Sequence, residues 1–463
     1  MTITANAIAD VTTDAAPNRL RRSPQPASPG ARLGWILYAP GNETVNVLLL
    51  YFIMAPYLTN VVVGDGVAGQ TLWGWISAGG AIVVALGGQI LGSATDIIGG
   101  QKRFIAGFVA LAAAGAAALW FATPGADTAA LVAIGIAVLA VMIGTEMAAL
   151  LYNSLLPKLA AHDLVGRTSG TSIATGIFWG LGVLGCYIVA FMVPAEPLFG
   201  LDKALHEHDR IAGPVSAAAL LLFVLPLLIL TPATPIRRVC LPVRRMTLGV
   251  LGETYRAMRA HPRIARFVIA RMIYQDGIGV ALAFGSIYAA GHFGWDGLEL
   301  GVFGMAVLGS SAIGAFIGGK VDDRIGAKLT IAISLVILLV GISSLIAVPA
   351  PAVSGIGFLA TFEERLFIVM ACLMGVSIGP AQGSGRSMMA RLAPSEDVGR
   401  WFGIMALTGN AIAFTGPLLL ALVTDATDSQ RLGLLVSPAL ILVGLMILLG
   451  VKRDDPARTR ETT

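Results

Sequence analysis

Gly92-Ser-Ala-Thr-Asp96-Ile-Ile-Gly-Gly100-Gln-Lys102 and Gly318-Gly-Lys-Val-Asp322-Asp-Arg-Ile-Gly326-Ala-Lys328 are two copies of one pattern, 226 residues apart. Each follows a long apolar run and presents an acid, then a glycine, then a base. Two further matches keep the same order. Pro157 to Arg167 pairs with Pro394 to Arg400, both closing on Gly-Arg, and Tyr38-Ala-Pro-Gly41 pairs with Tyr274-Gln-Asp-Gly277 at an offset of 236. The chain therefore reads as two related halves in tandem, each folding in the same way.

What each half folds into follows from its composition. Of 463 residues, 56 % are hydrophobic and 13 % charged, where soluble domains carry about a quarter charged, and the mean hydropathy is +0.80. Apolar stretches of about 20 residues span a bilayer as helices, and such stretches recur near 34–62, 71–95, 104–122, 129–156, 169–193, 213–231, 266–290, 299–319, 328–349, 365–390, 401–424 and 432–450. No segment alternates with period two, as a membrane barrel would require. The expected fold is an all-α membrane protein with twelve transmembrane helices in two pseudo-symmetric six-helix bundles, at 34–233 and 265–451. The basic stretch 234–264 between them is a cytoplasmic linker; with Arg266 at its end it carries eight arginines. Residues 1–33, polar and without an apolar core, form a disordered cytoplasmic tail, and 452–463 a second cytoplasmic tail.

Orientation follows from the cations. With both termini on one side, that side holds 25 of the 31 lysines and arginines, against Lys203, Arg210, Arg365 and Arg431 opposite. Arg271 and Arg386 lie inside spans. The positive-inside rule then puts both termini in the cytoplasm of a multi-pass protein of the cell inner membrane.

Parallel repeats of six spans are how the halves of facilitator-type transporters are built, with the solute site between them, and the doubled acid-glycine-base loop is the signature of that superfamily. More specific stretches are Tyr38 to Asn42 with Ala55-Pro56-Tyr57, Tyr152-Asn153-Ser154-Leu155-Leu156-Pro157, Tyr274-Gln275-Asp276-Gly277, and Gln382 to Arg386 with Gly416-Pro417. In these the chain resembles one branch of the major facilitator superfamily: the autophagy-related vacuolar amino-acid effluxers of fungi and their bacterial relatives, often labelled the unknown major facilitator family. The resemblance implies a carrier of a small solute. Ala39 stands where that branch often has aspartate and Glu43 where it often has a small residue, so a coupling acid is either lost or moved to Glu43.

Ionisable groups inside spans cost about 2.5–3.5 kcal/mol each at mid-span, which makes them functional by default. Glu43 and Asp276 lie at similar depths in the first and seventh spans and are read as proton carriers, or as hydrogen-bonded structural acids near Tyr38 and Tyr274. Glu146 either pairs with Arg271 or Arg386, meets a cationic part of the cargo, or packs among the small residues Gly144, Ala148 and Ala149. Arg271 is expected to snorkel to the headgroups. Arg386 stands 14 residues before Arg400 as Asn153 stands before Arg167, and its fork suits a carboxylate or phosphate. Tyr38, Asn42, Asn153, Tyr274, Gln382 and Asn410 complete the set of solute or coupling candidates. Asp96 is expected to meet the Arg400 region and Asp322 the Arg167 region as a cytoplasmic gate, with Gly100 and Gly326 in its turns.

The expected function is secondary active transport by alternating access, proton-coupled, of an amino acid or small organic anion. A sugar or lipophilic-compound carrier, or a non-transporting sensor or scaffold, are the other readings. No enzyme motif, phosphate-binding loop or Cys/His framework occurs, and Cys186, Cys240 and Cys372 show no pairing pattern. No metal or cofactor is expected, nor any nucleic-acid partner, and oligomerisation is not implied. The partners are the solute, H+ and the lipid bilayer.

Overall fold

A computed structural model describes residues 28–159, 165–232, 252, 254–350, 359–393 and 398–451; the expected tails and most of the linker lie outside the described residues. Among the described residues there is helix and no strand. Eleven helices among the described residues are long and apolar enough to cross a membrane. The spans begin with span 1, Pro29–Val62, span 2, Gly66–Ile98, span 3, Gln101–Ala118, and span 4, Thr128–Leu159. They continue with span 5, Val165–Tyr187, which runs on to Met192, and span 6, Ala212–Leu230. The second half has span 7, Pro262–Phe293, span 8, Gly297–Ile325, span 9, Ala327–Ala347, span 10, Phe362–Leu392, and span 12, Gln430–Leu449.

Span 11 differs from the expected continuous helix. It is two shorter helices, Val398–Ile412 and Thr415–Thr427, parted by a turn at Ala413 and Phe414. Pro417 sits in the first turn of the second piece, where a missing N–H costs least. Span 1 also differs. It starts at Pro29, ahead of the expected Gly34, turns at Leu37 and Tyr38, and passes through wide i→i+5 turns at Asn46–Phe52 and Tyr57–Val62. Such turns are frequent at functional sites.

Small residues let the spans approach closely, since lipid offers no hydrophobic drive for helix association. Spans 8 and 10 show this. A Cβ on Gly314 would overlap the Val376 carbonyl, and one on Gly379 would lie 2.6 Å from the Ser311 carbonyl. Both repeated loops turn on glycines with positive φ, Gly99 and Gly100 at 77° and 71° and Gly326 at 85°.

Pro29, Thr231, Pro262 and Val451 share one face, where Lys102 donates to the Thr231 carbonyl, Arg266 to that of Gly450 and Lys328 to that of Leu449. At the opposite face the two halves are bonded to each other. Gln70 donates to Thr424 Oγ1 (2.9 Å) and to the Gln430 carbonyl, Asn60 to the Ile287 carbonyl, and Ser286 to the Tyr51 carbonyl. Phe52 packs edge-on against Phe303. The face opposite the termini is therefore closed by contacts between halves. Trp295 and Trp401, near span ends, are buried in protein: Trp295 donates to Glu364, and Trp401 meets the ring of His261.

Candidate functional site

The turn before Pro40 swings Tyr38 inward, where its ring lies 4.6 Å from that of Tyr152. Trp35 stacks on the other side of Tyr152 and donates to its carbonyl at 2.9 Å. The Tyr152 hydroxyl is satisfied by Ser172, whereas the Tyr38 hydroxyl and Asn42 Oδ1 are buried without a hydrogen-bond partner. An unpaired buried polar atom costs about 1–3 kcal/mol; it persists where something else supplies the bond.

Five residues after Tyr38, Glu43 faces span 5 at Gly180. A Cβ there would lie 3.0 Å from Glu43 Cγ, so glycine makes the room. The carboxylate has one side-chain bond, a long 3.4 Å contact from Asn46. Glu146 of span 4 is accessible to water-sized contact and near enough to Tyr38 and Tyr51 to act on them electrostatically. Neither Glu43 nor Glu146 has a basic partner among the described residues, so the expected pairing of Glu146 with Arg271 or Arg386 does not occur here. Tyr51, which also feels Glu43, was not singled out from the sequence; the wide turn that places it has no sequence signal. Asn153 is exposed one turn below Ala149 on the same span.

The second half holds the opposite charge. Arg271 does not run to the headgroups: its Nε is buried with no partner. It lies beside Gly385 of span 10, where an added Cβ would stand 3.2 Å from Arg271 Nε and 3.1 Å from the Tyr274 hydroxyl. That hydroxyl is also buried and unpartnered. Arg386, half-buried, is within electrostatic reach of Arg271, and Gln382 is one turn before it on span 10. Neither arginine has an acidic partner among the described residues.

Asp276 is tied into the helix packing. Its Oδ2 accepts from the Gly416 N–H at 2.7 Å, the first turn of the second piece of span 11. Helix starts leave free N–H groups that attract carboxylates, and the break in span 11 creates such a start inside the bundle. A Cβ on Gly416 would press on Asp276 Oδ1 at 2.9 Å.

At the terminus face Asp322 is buried and ion-paired with Arg391 at 3.2 Å, joining spans 8 and 10 within one half. The side chains of Asp96, Arg167, Arg400 and Asn410 lie outside the described residues. Gly100 and Gly326 supply the turns, as their positive φ requires.

Comparison with known proteins agrees with this architecture. The chain is 24 % identical over 433 residues to the uncharacterized MFS-type transporter YxiO of Bacillus subtilis, covering 91 % of this chain and 94 % of that protein. It is 22 % identical to autophagy-related protein 22 of Cryptococcus neoformans, covering 61 % of this chain, and spans about half the length of that relative, 49 %. Among solved structures, a D-xylose-proton symporter superposes with a TM-score of 0.64 at 15 % identity over 92 % of this chain and 97 % of the other. The nucleoside transporter NupG, as a D323A mutant, gives 0.63 at 14 % over 91 % and 100 %. At these identities the two structures speak for the major facilitator fold alone. A family model described as vacuole effluxer Atg22 like matches residues 167–461, and with well over half its length so matched the chain belongs to that Atg22-like family, as a multi-pass transporter of the major facilitator type.

Proposed function

We propose that the protein is a secondary carrier that moves a small amphoteric solute, an amino acid or a related organic acid, by alternating access coupled to protons. The observation that carries this is the division of unpaired charge. The first half presents Glu43 and Glu146 without a base, and the second presents Arg271 and Arg386 without an acid. Intramembrane charges are ordinarily paired with one another or with backbone. A solute with an ammonium at one end and a carboxylate at the other would complete both sets, the guanidinium fork binding the carboxylate in the bidentate way. Glu43 carries the proton in this reading, because a carboxylate held by one long bond can gain and lose a proton without dismantling a packed contact. The effluxer description of the family supports carriage of a solute across a membrane and names no cargo.

The termini face is the cytoplasmic one in this proposal, since it gathers 25 of the 31 cations, and Asp322 with Arg391 belongs to its gate. Purified protein in liposomes, given a mixture of radiolabelled amino acids and an imposed pH gradient, tests the reading. Accumulation of one or more amphoteric solutes that collapses with a protonophore is expected. Flux of a neutral sugar, with no response to any amphoteric or anionic solute, would overturn it.

A further inference from the structure

Far from the charged crevice, the face closed between the halves carries a second constellation. The chain leaving span 5 turns through Phe199 and Gly200 and then through His206, whose φ of 53° is left-handed. That turn folds two histidines back onto one carboxylate. Asp209 Oδ2 lies 2.9 Å from His206 Nδ1 and 3.5 Å from His208 Nε2, and one ligand atom from each residue falls within 4.8 Å of the others. Four-coordinate zinc, with bonds of about 2.0–2.1 Å, holds its donor atoms roughly 3.3 Å apart. The spacing is thus near that of a tetrahedral site before any ion is added.

The surroundings favour a cation. The three residues line a cavity of about 300 Å³ shared with Asp296 and Lys203. Two carboxylates there oppose one ammonium, and Lys203 is turned away to the Met192 carbonyl at 2.6 Å. His208 Nδ1 is buried with no partner, so the ring's polar contact is the one to Asp209. The His206 and His208 rings stack 5.8 Å apart, which brings two imidazoles to the one carboxylate. The other Asp209 oxygen abuts span 8, where a Cβ on Gly297 would stand 2.9 Å from Oδ1.

We propose that His206, His208 and Asp209 bind one divalent cation of the zinc class, at the seam between this loop of the first half and the start of span 8 in the second. Three protein donors leave the fourth position to water or to Asp296 across the cavity. With Asp296 as the fourth ligand the cation would join the two halves and so favour the closed seam over the open one.

Cobalt(II) added to the full-length chain, purified without a polyhistidine tag, tests the site. One Co2+ per chain is expected, with the visible absorption of tetrahedral coordination, displaced by stoichiometric Zn2+. His206→Gln and His208→Gln should each weaken binding by at least about 10-fold, with metal-free thermal unfolding unchanged in His206→Gln, whose amide can still donate to Asp209 from a half-buried position. Should the His208 variant fail to fold, the His206 variant decides alone. Absence of the spectrum in the parent chain, or the same spectrum and stoichiometry in the His206 variant, would overturn the proposal. Neither result bears on amino-acid flux, so this site and the carrier reading stand or fall separately.

Discussion

Glu43 and Asp276 occupy related places in the two halves, and they are bonded differently. Each acid of the first span of its half is set against a glycine, Gly180 or Gly416, and those glycines are 236 residues apart, the same offset as Tyr38 and Tyr274. Span 5 is continuous helix through Gly180, so its amides are spent within the helix. Span 11 is interrupted before Gly416, so its amide is free to bond Asp276. One break in one helix turns an acid into a structural tie, and the unbroken helix leaves its counterpart unclaimed. Pseudo-symmetry of sequence therefore does not imply symmetry of role.

The largest expected effect separates the two acids by function. Glu43→Gln should reduce gradient-driven accumulation by about 100-fold, since removing a group that moves the proton removes the coupling and not merely a contact, while the thermal unfolding midpoint stays put. Equal loss of folded protein in Glu43→Gln and in an Asp276 variant would erase the distinction. Next comes Asp276→Leu, which leaves the Gly416 N–H unpaired inside the bundle and should cost about 1–3 kcal/mol, read as a lowered unfolding midpoint in detergent. Asp276→Asn keeps an acceptor and should recover most of that loss. An Asp276→Asn chain that is stable but uncoupled would hand this acid a proton-carrying role after all.

The charge division between halves is tested by Arg386→Lys. A lysine keeps the charge and loses the fork, so the solute KM should rise about 10-fold with the coupling ratio unchanged. A KM that does not move would place the carboxylate elsewhere.

Much of this architecture was legible in the residues. Twelve apolar runs, one doubled loop and a lopsided distribution of cations suffice for the spans and their pairing into halves, because bilayer thickness fixes helix length and lipid forbids open backbone. The positive-φ glycines of the loops were readable as turns for the same kind of local reason. What the sequence could not show depends on neighbours distant in the chain. Arg271 is drawn inward because Gly385 of span 10 leaves a hollow beside it, and no pattern around Arg271 encodes that partner. The break in span 11 has a faint local signal in Thr415-Gly416-Pro417, but its consequence for Asp276 is a contact across 140 residues. His206, His208 and Asp209 are within four positions of each other, yet only the left-handed turn at His206 brings their donor atoms together.

The smallest effect is the sharpest check on the comparison, because it sets glycine against glycine. Alanine at Gly416 puts a Cβ 2.6 Å from Val280 Cγ2 and 2.9 Å from Asp276 Oδ1. The carboxylate cannot retreat without giving up its hydrogen bond, so Gly416→Ala should destabilise by about 1–2 kcal/mol, the range of overpacking with a lost polar contact. Alanine at Gly180 meets Glu43 Cγ at 3.0 Å, the middle of a flexible side chain bonded to little else. Glu43 can rotate away, so Gly180→Ala should change stability by only a few tenths of a kcal/mol while shifting the dependence of transport on proton concentration. Were Gly180→Ala to destabilise as much as Gly416→Ala, Glu43 would be as firmly built in as Asp276, and a proton-carrying role would lose the freedom of movement it requires.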